Sequence, residues 1–345
     1  MRALLLTTVS TLADSPSPLV AAQVPDPVPG PGDLLVRVSA CGVCHTEIDE
    51  IEGRTPPSAL PRILGHQVVG RVAATSDIGP RTSDWHVGDR VGIAWIYSAC
   101  GHCAYCREGR ENLCPDFRAT GRDADGGYAE LMVVPAAFAH RIPDVFSDVE
   151  AAPLLCAGTI GYRSVMLAAM SDGDSLGLTG FGASAHLVLK MVRHRFPRSR
   201  VFVFSRSADE RAFALELGAA WAGDTADRAP ETLSAIIDTT PAWKPVIEAL
   251  ANLAPGGRLV VNAIRKEEAD KQELLRLDYP AHLWMEKQVT SVANVTRRDV
   301  REFLQLAAEI PITPEVEPYA LADANRALLD IKRRRIRGAK VLVVG

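Results

Sequence analysis

No apolar run in the chain approaches the roughly eighteen residues a membrane helix needs, so a spanning segment is not expected and a soluble protein is. Charge of one sign is scarce too. The 38 basic and 42 acidic residues leave a net charge of −4, without the concentrated basic excess that nucleic acid or a membrane surface would require. The apolar stretch at the N-terminus is too short for a secretory leader and reads as a first strand. Evenly paired cysteines are also missing. There are seven, and their tight spacing suits metal-bound thiolates in a reducing cytoplasm better than a disulfide framework. Small-molecule chemistry is what these absences leave.

The 345 residues, 47% of them hydrophobic, are too many for one ordinary core and read as two domains. Up to about residue 150 short apolar runs (34–38, 68–72, 90–93, 128–134) alternate with Pro and Gly clusters, the pattern of a small β-barrel-like domain with long loops. Beyond it helices alternate with short apolar strands, as in a doubly wound parallel sheet of α/β type. After about residue 295 two helical stretches and a terminal strand return to the first domain. The expected boundaries are 1–153 with 295–345, and 154–294. The basic run Lys332-Arg333-Arg334-Arg335 reads as a solvated helix end.

Three stretches carry chemistry. Cys41-Gly42-Val43-Cys44-His45-Thr46-Glu47 gathers thiolate, imidazole, hydroxyl and carboxylate, while His66 in Gly65-His66-Gln67 and the isolated Cys156 lie downstream. Two thiolates and one imidazole on a single zinc leave its fourth position open, the arrangement of a catalytic ion. Cys100, Cys103, Cys106 and Cys114 instead close a four-sulfur shell around a second, structural zinc. The third stretch, 174–186, passes from a strand through Gly180-Phe181-Gly182-Ala183 into a helix. Its glycines let the backbone approach a pyrophosphate, and the helix start offers free amides to the negative charge. The next strand, 200–204, ends in Ser205-Arg206-Ser207, where an acidic residue would hold the ribose hydroxyls of NAD; hydroxyls and a guanidinium favour NADP(H), with NAD(H) possible. Further strands near 235–240, 257–263 and 288–293 point their carboxyl ends at the nicotinamide, which brings Asn262, Ala263 and Ser291 into the cofactor site.

Taken together, these residues resemble the zinc-dependent medium-chain alcohol dehydrogenases, in particular their cinnamyl-alcohol-dehydrogenase-like branch, along essentially the whole chain. The resemblance implies a GroES-like β-rich catalytic domain joined to a Rossmann domain. It implies catalytic zinc ligands at Cys44, His66 and Cys156, with Cys41 a buried bystander. His45 then faces the cofactor pyrophosphate, Thr46 bonds the substrate oxygen and begins the proton path, and Glu47 orients a ligand such as His66. Trp95 stands for the aromatic wall of the substrate pocket, and Arg337 for a further cofactor contact. Gln67 departs from the Glu that commonly follows the zinc-binding histidine. Asp49 departs from the histidine that finishes the proton relay in many members. The implied activity is hydride transfer between NADP(H) and a primary, aromatic or allylic alcohol–aldehyde pair, by a homodimer or homotetramer. Two other readings stay open: reduction of an activated carbon–carbon double bond on the same scaffold, and a nucleotide-binding protein without turnover.

Overall fold

The structure is a computed structural model that describes residues 1–76, 82–310, 312–333 and 338–345. Arg337, expected at the cofactor, and Arg334 and Arg335 of the basic run lie outside the described residues. The chain divides into two compact units, Met1–Thr159 with Asn294–Gly345, and Ile160–Ala293. Cys156 therefore falls in the first unit.

The first unit is built on the strand Asp33–Val43, whose buried residues alternate with less buried ones until its wholly buried end. It pairs antiparallel with Val68–Thr75, Leu131–Pro135 and Ala339–Val343, so the end of the chain is locked into the seven-stranded sheet beside this strand. Its last residues, Cys41-Gly42-Val43, run straight into the short helix His45–Ile51. A smaller sheet, Leu19–Gln23, Arg2–Leu6 and Arg62–Ile63, leads into the turn before His66. Gly65 is needed in that turn: its φ is +97°, and a Cβ there would lie 2.4 Å from the Tyr128 ring.

In the second unit six strands form one wholly parallel sheet. Their order is Trp221–Gly223, Arg200–Phe204, Ser175–Thr179, Leu233–Asp238, Leu253–Val261 and Gln288–Ser291, which numbered along the chain is 3-2-1-4-5-6. Connections run in opposite directions from the first and fourth of these strands, so their carboxyl ends open a crevice, the usual ligand site of such sheets.

The helical stretch Asp148–Ala168 is, among the described residues, the one long and apolar enough to cross a membrane. With 72% of its apolar window buried, it has the surroundings of a core helix. Pro153 interrupts it, and the residues that follow, Leu154–Gly158, form a π-helical turn carrying Cys156. A proline withholds the amide that the regular ladder needs, which accounts for the change of pitch.

One buried group in the first unit ties its stability to pH. His140, in the strand Ala139–Arg141, is pulled down to about 3 by burial and by the guanidiniums of Arg297 and Arg301. Because its folded pKa lies below the unfolded value, the unfolded chain takes up a proton that the native state refuses once the pH drops through about 6.5, and stability is lost progressively from there down. His140→Leu should therefore show a flatter dependence of Tm on pH on the acid side of about 6.5 than the wild type. Parallel Tm curves in thermal melts across that window would refute this origin.

Candidate metal centres and nucleotide crevice

Cys44 is the N-cap of the helix His45–Ile51, in extended conformation with its Sγ accepting the Thr46 amide at 3.3 Å. Glu47, three residues on, completes a capping box by accepting the Cys44 amide at 2.8 Å through Oε2. Its other oxygen, Oε1, stands 2.6 Å from Nδ1 of His66, and both side chains are essentially without solvent contact. With Nδ1 beside a carboxylate, Nε2 is turned the other way. There Nε2 meets the sulfurs of Cys44 at 3.5 Å and Cys156 at 3.3 Å.

These spacings fit a zinc ion. Tetrahedral bonds of ordinary length would put sulfur and nitrogen about 3.6 Å apart. The three donors all lie within 4.8 Å of one another. As bare thiols they are ill suited to each other: the Cys156 thiol and burial together push Cys44 well above the usual cysteine range. A dication among them removes that conflict by stabilising both thiolates.

Cys100, Cys103, Cys106 and Cys114 form the second donor set, also within 4.8 Å. Cys100 and Cys106 are 3.9 Å apart, close to the sulfur–sulfur distance of about 3.8 Å across a tetrahedral zinc. Amides at His102 and Cys103 pull Cys100 down to about 6, whereas burial pushes Cys106 up to about 12. Sulfurs this close do not all ionise without a cation between them. Four protein donors fill the shell, so this lobe is structural. Glu111, three residues before Cys114, joins the lobe to the helix Arg297–Glu309 by accepting both the amide and Nε of Arg297 at 3.1 Å.

Around the first centre the remaining expected residues have varied fates. Thr46, in the first turn of the catalytic helix, is half-buried beside Cys44. His45 is 46% exposed, with Nδ1 at 3.6 Å from Asp49. Asp49 is buried and committed elsewhere: Nε of Arg54 donates to it at 2.5 Å. Arg54 also pairs with Glu52, which in turn holds Lys332 at 2.9 Å. Trp95 is buried, packed on Phe117 at 5.3 Å with the Arg122 guanidinium over its ring. Cys41 is wholly buried and not part of the donor set. Sequence reading missed Arg54 and Glu50. The dense charge of Asp49-Glu50-Ile51-Glu52-Gly53-Arg54 was the available signal. Glu50 is entirely enclosed, and burial together with Glu47 pushes its carboxyl well above the usual range.

In the second unit Gly180 has φ +79°, and a Cβ there would meet Oγ1 of Thr239 at 2.8 Å. Gly182 is the N-cap of the helix Ala183–Arg195, has no side-chain cap, and faces open space where a Cβ would point. The start of such a helix favours the charge of an anion. Phe181 is buried edge-on against Phe213, leaving its backbone as the part a nucleotide could touch. At the end of the second strand the two hydroxyls have internal partners. Ser205 is buried and donates to Glu210 at 2.5 Å, and Ser207 caps the helix Ala208–Glu216. Arg206 is exposed and has no carboxylate partner among the described residues. Asn262 and Ala263 follow the fifth strand, and Ser291 ends the sixth.

Comparison with known proteins identifies the family. Residues 30–144 match the alcohol dehydrogenase GroES-like domain. Over 95% of its length the chain is 45% identical to the "Probable alcohol dehydrogenase AdhA" of Mycobacterium tuberculosis, covering 93% of that protein. An alcohol dehydrogenase of Geobacillus stearothermophilus is 32% identical over 95% of the chain and 96% of its own length. Among solved structures, a cinnamyl alcohol dehydrogenase of Sorghum bicolor superposes with a TM-score of 0.85 at 26% identity, covering 99% of this chain and 97% of that one. A three-donor zinc site, a closed four-cysteine site and a parallel nucleotide-binding sheet on one chain, with relatives this similar, place the protein in the zinc-dependent medium-chain alcohol dehydrogenase family.

Proposed function

We propose that this alcohol dehydrogenase works chiefly as an NADP(H)-dependent reductase of aromatic or allylic aldehydes, and that the reverse oxidation uses the same groups. The observation that carries the reading is the donor set Cys44, His66 and Cys156, backed by Glu47 and limited to three ligands. Zinc held there supplies Lewis-acid polarisation of the carbonyl, and a bound nicotinamide supplies hydride. The protein's own part is positional. Glu47 holds the His66 tautomer, Thr46 hands the proton to the developing alcohol oxygen, and the exposed His45 is the basic residue offered to a cofactor phosphate. Asp49 stays in its ion pair with Arg54, so the proton path runs from Thr46 to water. Trp95 supplies the flat wall against which an aromatic substrate packs.

Preference for NADP(H) is supported by the exposed Arg206 and by the lack of an acidic residue in Ser205-Arg206-Ser207. Glu210 offers no counter-argument, because its carboxylate accepts the Ser205 hydroxyl. A homodimer or homotetramer is supported by the edge strand Gln288–Ser291, in which Val289 is about half exposed, as are Trp284 and Met285 just before it. All seven cysteines are free thiols, which supports a reducing, cytoplasmic setting.

Metal analysis should return two zinc ions per chain. Cys44→Ala should keep one and lose aldehyde-dependent NADPH oxidation by about a thousandfold or more, with the fold intact by circular dichroism. In a panel of aldehydes, kcat/KM should favour NADPH over NADH by about tenfold or more, and Arg206→Ala should erase most of that ratio. Equal or better rates with NADH would refute the assignment at Ser205 to Ser207. With an unsaturated aldehyde the expected product is the unsaturated alcohol; saturated aldehyde as sole product would favour double-bond reduction instead. Light scattering should show a dimer or larger, and Val289→Lys should shift it toward the monomer.

A further inference from the structure

A buried ion pair lies at the mouth of the nucleotide crevice, in a place where no metal or expected cofactor contact accounts for it. Asp238 is the last residue of the strand Leu233–Asp238, one of the two strands whose carboxyl ends frame the crevice, and it is fully buried. Lys266 reaches it from the segment after the strand Leu253–Val261, with only 7% of its side chain exposed. The ammonium donates to the Asp238 carboxylate, to the carbonyl of Thr240 at 2.6 Å and to that of Ala242 at 3.1 Å. Three acceptors satisfy the three hydrogens of an ammonium. Two further stitches join the same segments. The Glu267 amide donates to the Pro241 carbonyl at 2.7 Å, and Asp270 accepts the amides of Trp243 and Lys244 at 2.9 Å.

The turn held in this way touches the glycine turn directly. Thr240 donates to Asp238 at 2.8 Å, and Thr239 donates to the Thr179 carbonyl through its amide at 2.9 Å and its hydroxyl at 3.0 Å. That same Thr239 oxygen is the atom a side chain on Gly180 would strike. A shift of 238–242 would therefore move the floor under Gly180. A charged pair adopted for stability alone has no advantage over apolar residues of similar size, since the cost of taking both charges out of water offsets their attraction. What an apolar pair could not do is bind two backbone carbonyls of the turn and fix its path.

We propose that Lys266 and Asp238 form a clasp that sets the shape of the nucleotide crevice, making Lys266 a positioning residue for the dinucleotide. The inference rests on the use of a nicotinamide dinucleotide by this family, and not on the preference between NADP and NAD. The test uses full-length, zinc-loaded enzyme and reads binding without substrate, by quenching of protein fluorescence with NADPH and, separately, NADH. In the charge-neutral double variant Lys266→Met with Asp238→Asn, both dissociation constants should rise by about tenfold or more. Zinc content should stay unchanged, and the aldehyde KM and the kcat at saturating cofactor should stay within about threefold. Thr240→Val, which removes the hydroxyl's contacts to Asp238 and the Ala242 carbonyl and no charge, should weaken both nucleotides by about threefold, and it serves as the measurement if the double variant does not fold. Unchanged dissociation constants in folded variants would overturn the clasp, as would losses confined to kcat or to the aldehyde KM. A wild-type enzyme that binds NADH better would overturn the reading of Arg206, and the clasp would still stand if both nucleotides weakened together.

Discussion

The two oxygens of Glu47 hold the catalytic region together. One closes the start of the helix His45–Ile51 on the Cys44 amide, and the other faces the ring nitrogen of His66. A single buried carboxylate thus aligns two ligands that lie 22 residues apart, one on a helix cap and one after a glycine turn. Cys44 is a cap and a metal donor at once, so the sulfur that would hold a metal also satisfies an amide that the helix start would otherwise leave without a partner. The strand Asp33–Val43 carries this arrangement, and it is anchored on both sides by strands from distant parts of the chain.

The two sulfur-rich centres show how the same chemistry serves different ends. The four-cysteine lobe spans residues 100–114 and assembles from one local loop, with amide–sulfur contacts of 3.3 and 3.4 Å preparing it for a cation. The three-donor centre gathers ligands from a helix cap, a loop and a π-turn. A proline one turn earlier in the helix Asp148–Pro153 changes the pitch where Cys156 must point inward. Fewer ligands, each held by more distant structure, leave room for a substrate.

Near both ligand sites, charge is managed by pairing. Asp49 is given a guanidinium as partner, linked through Glu52 to Lys332 of the helix Ala324–Lys332. At the sheet, Lys266 does the equivalent for Asp238 and organises a backbone turn as it does so. Buried carboxylates without such partners would be protonated or would open the fold to water.

Much of this protein is local, and the local part was legible in its sequence. Short cysteine spacings identified the four-sulfur set, the family resemblance picked out Cys44, His66 and Cys156, and strand, glycine turn and helix followed one another within 174–195 closely enough to mark a nucleotide crevice. Element boundaries were read to within a few residues where apolar periodicity was strong, as in Arg90–Ile93 and Arg297–Glu309. The roles of single polar side chains were not legible, because each depends on which partner arrives from elsewhere. Ser205 looked free for a phosphate, yet its hydroxyl is taken by Glu210; Asp49 looked only like a departure from a relay histidine, and Arg54 holds it. The sequence by itself determined which atoms could bind a metal or approach a phosphate. Only the tertiary structure decided which of them had another partner, since hydrogen bonds and ion pairs are settled by distances of a few ångströms that spacing along the chain does not encode.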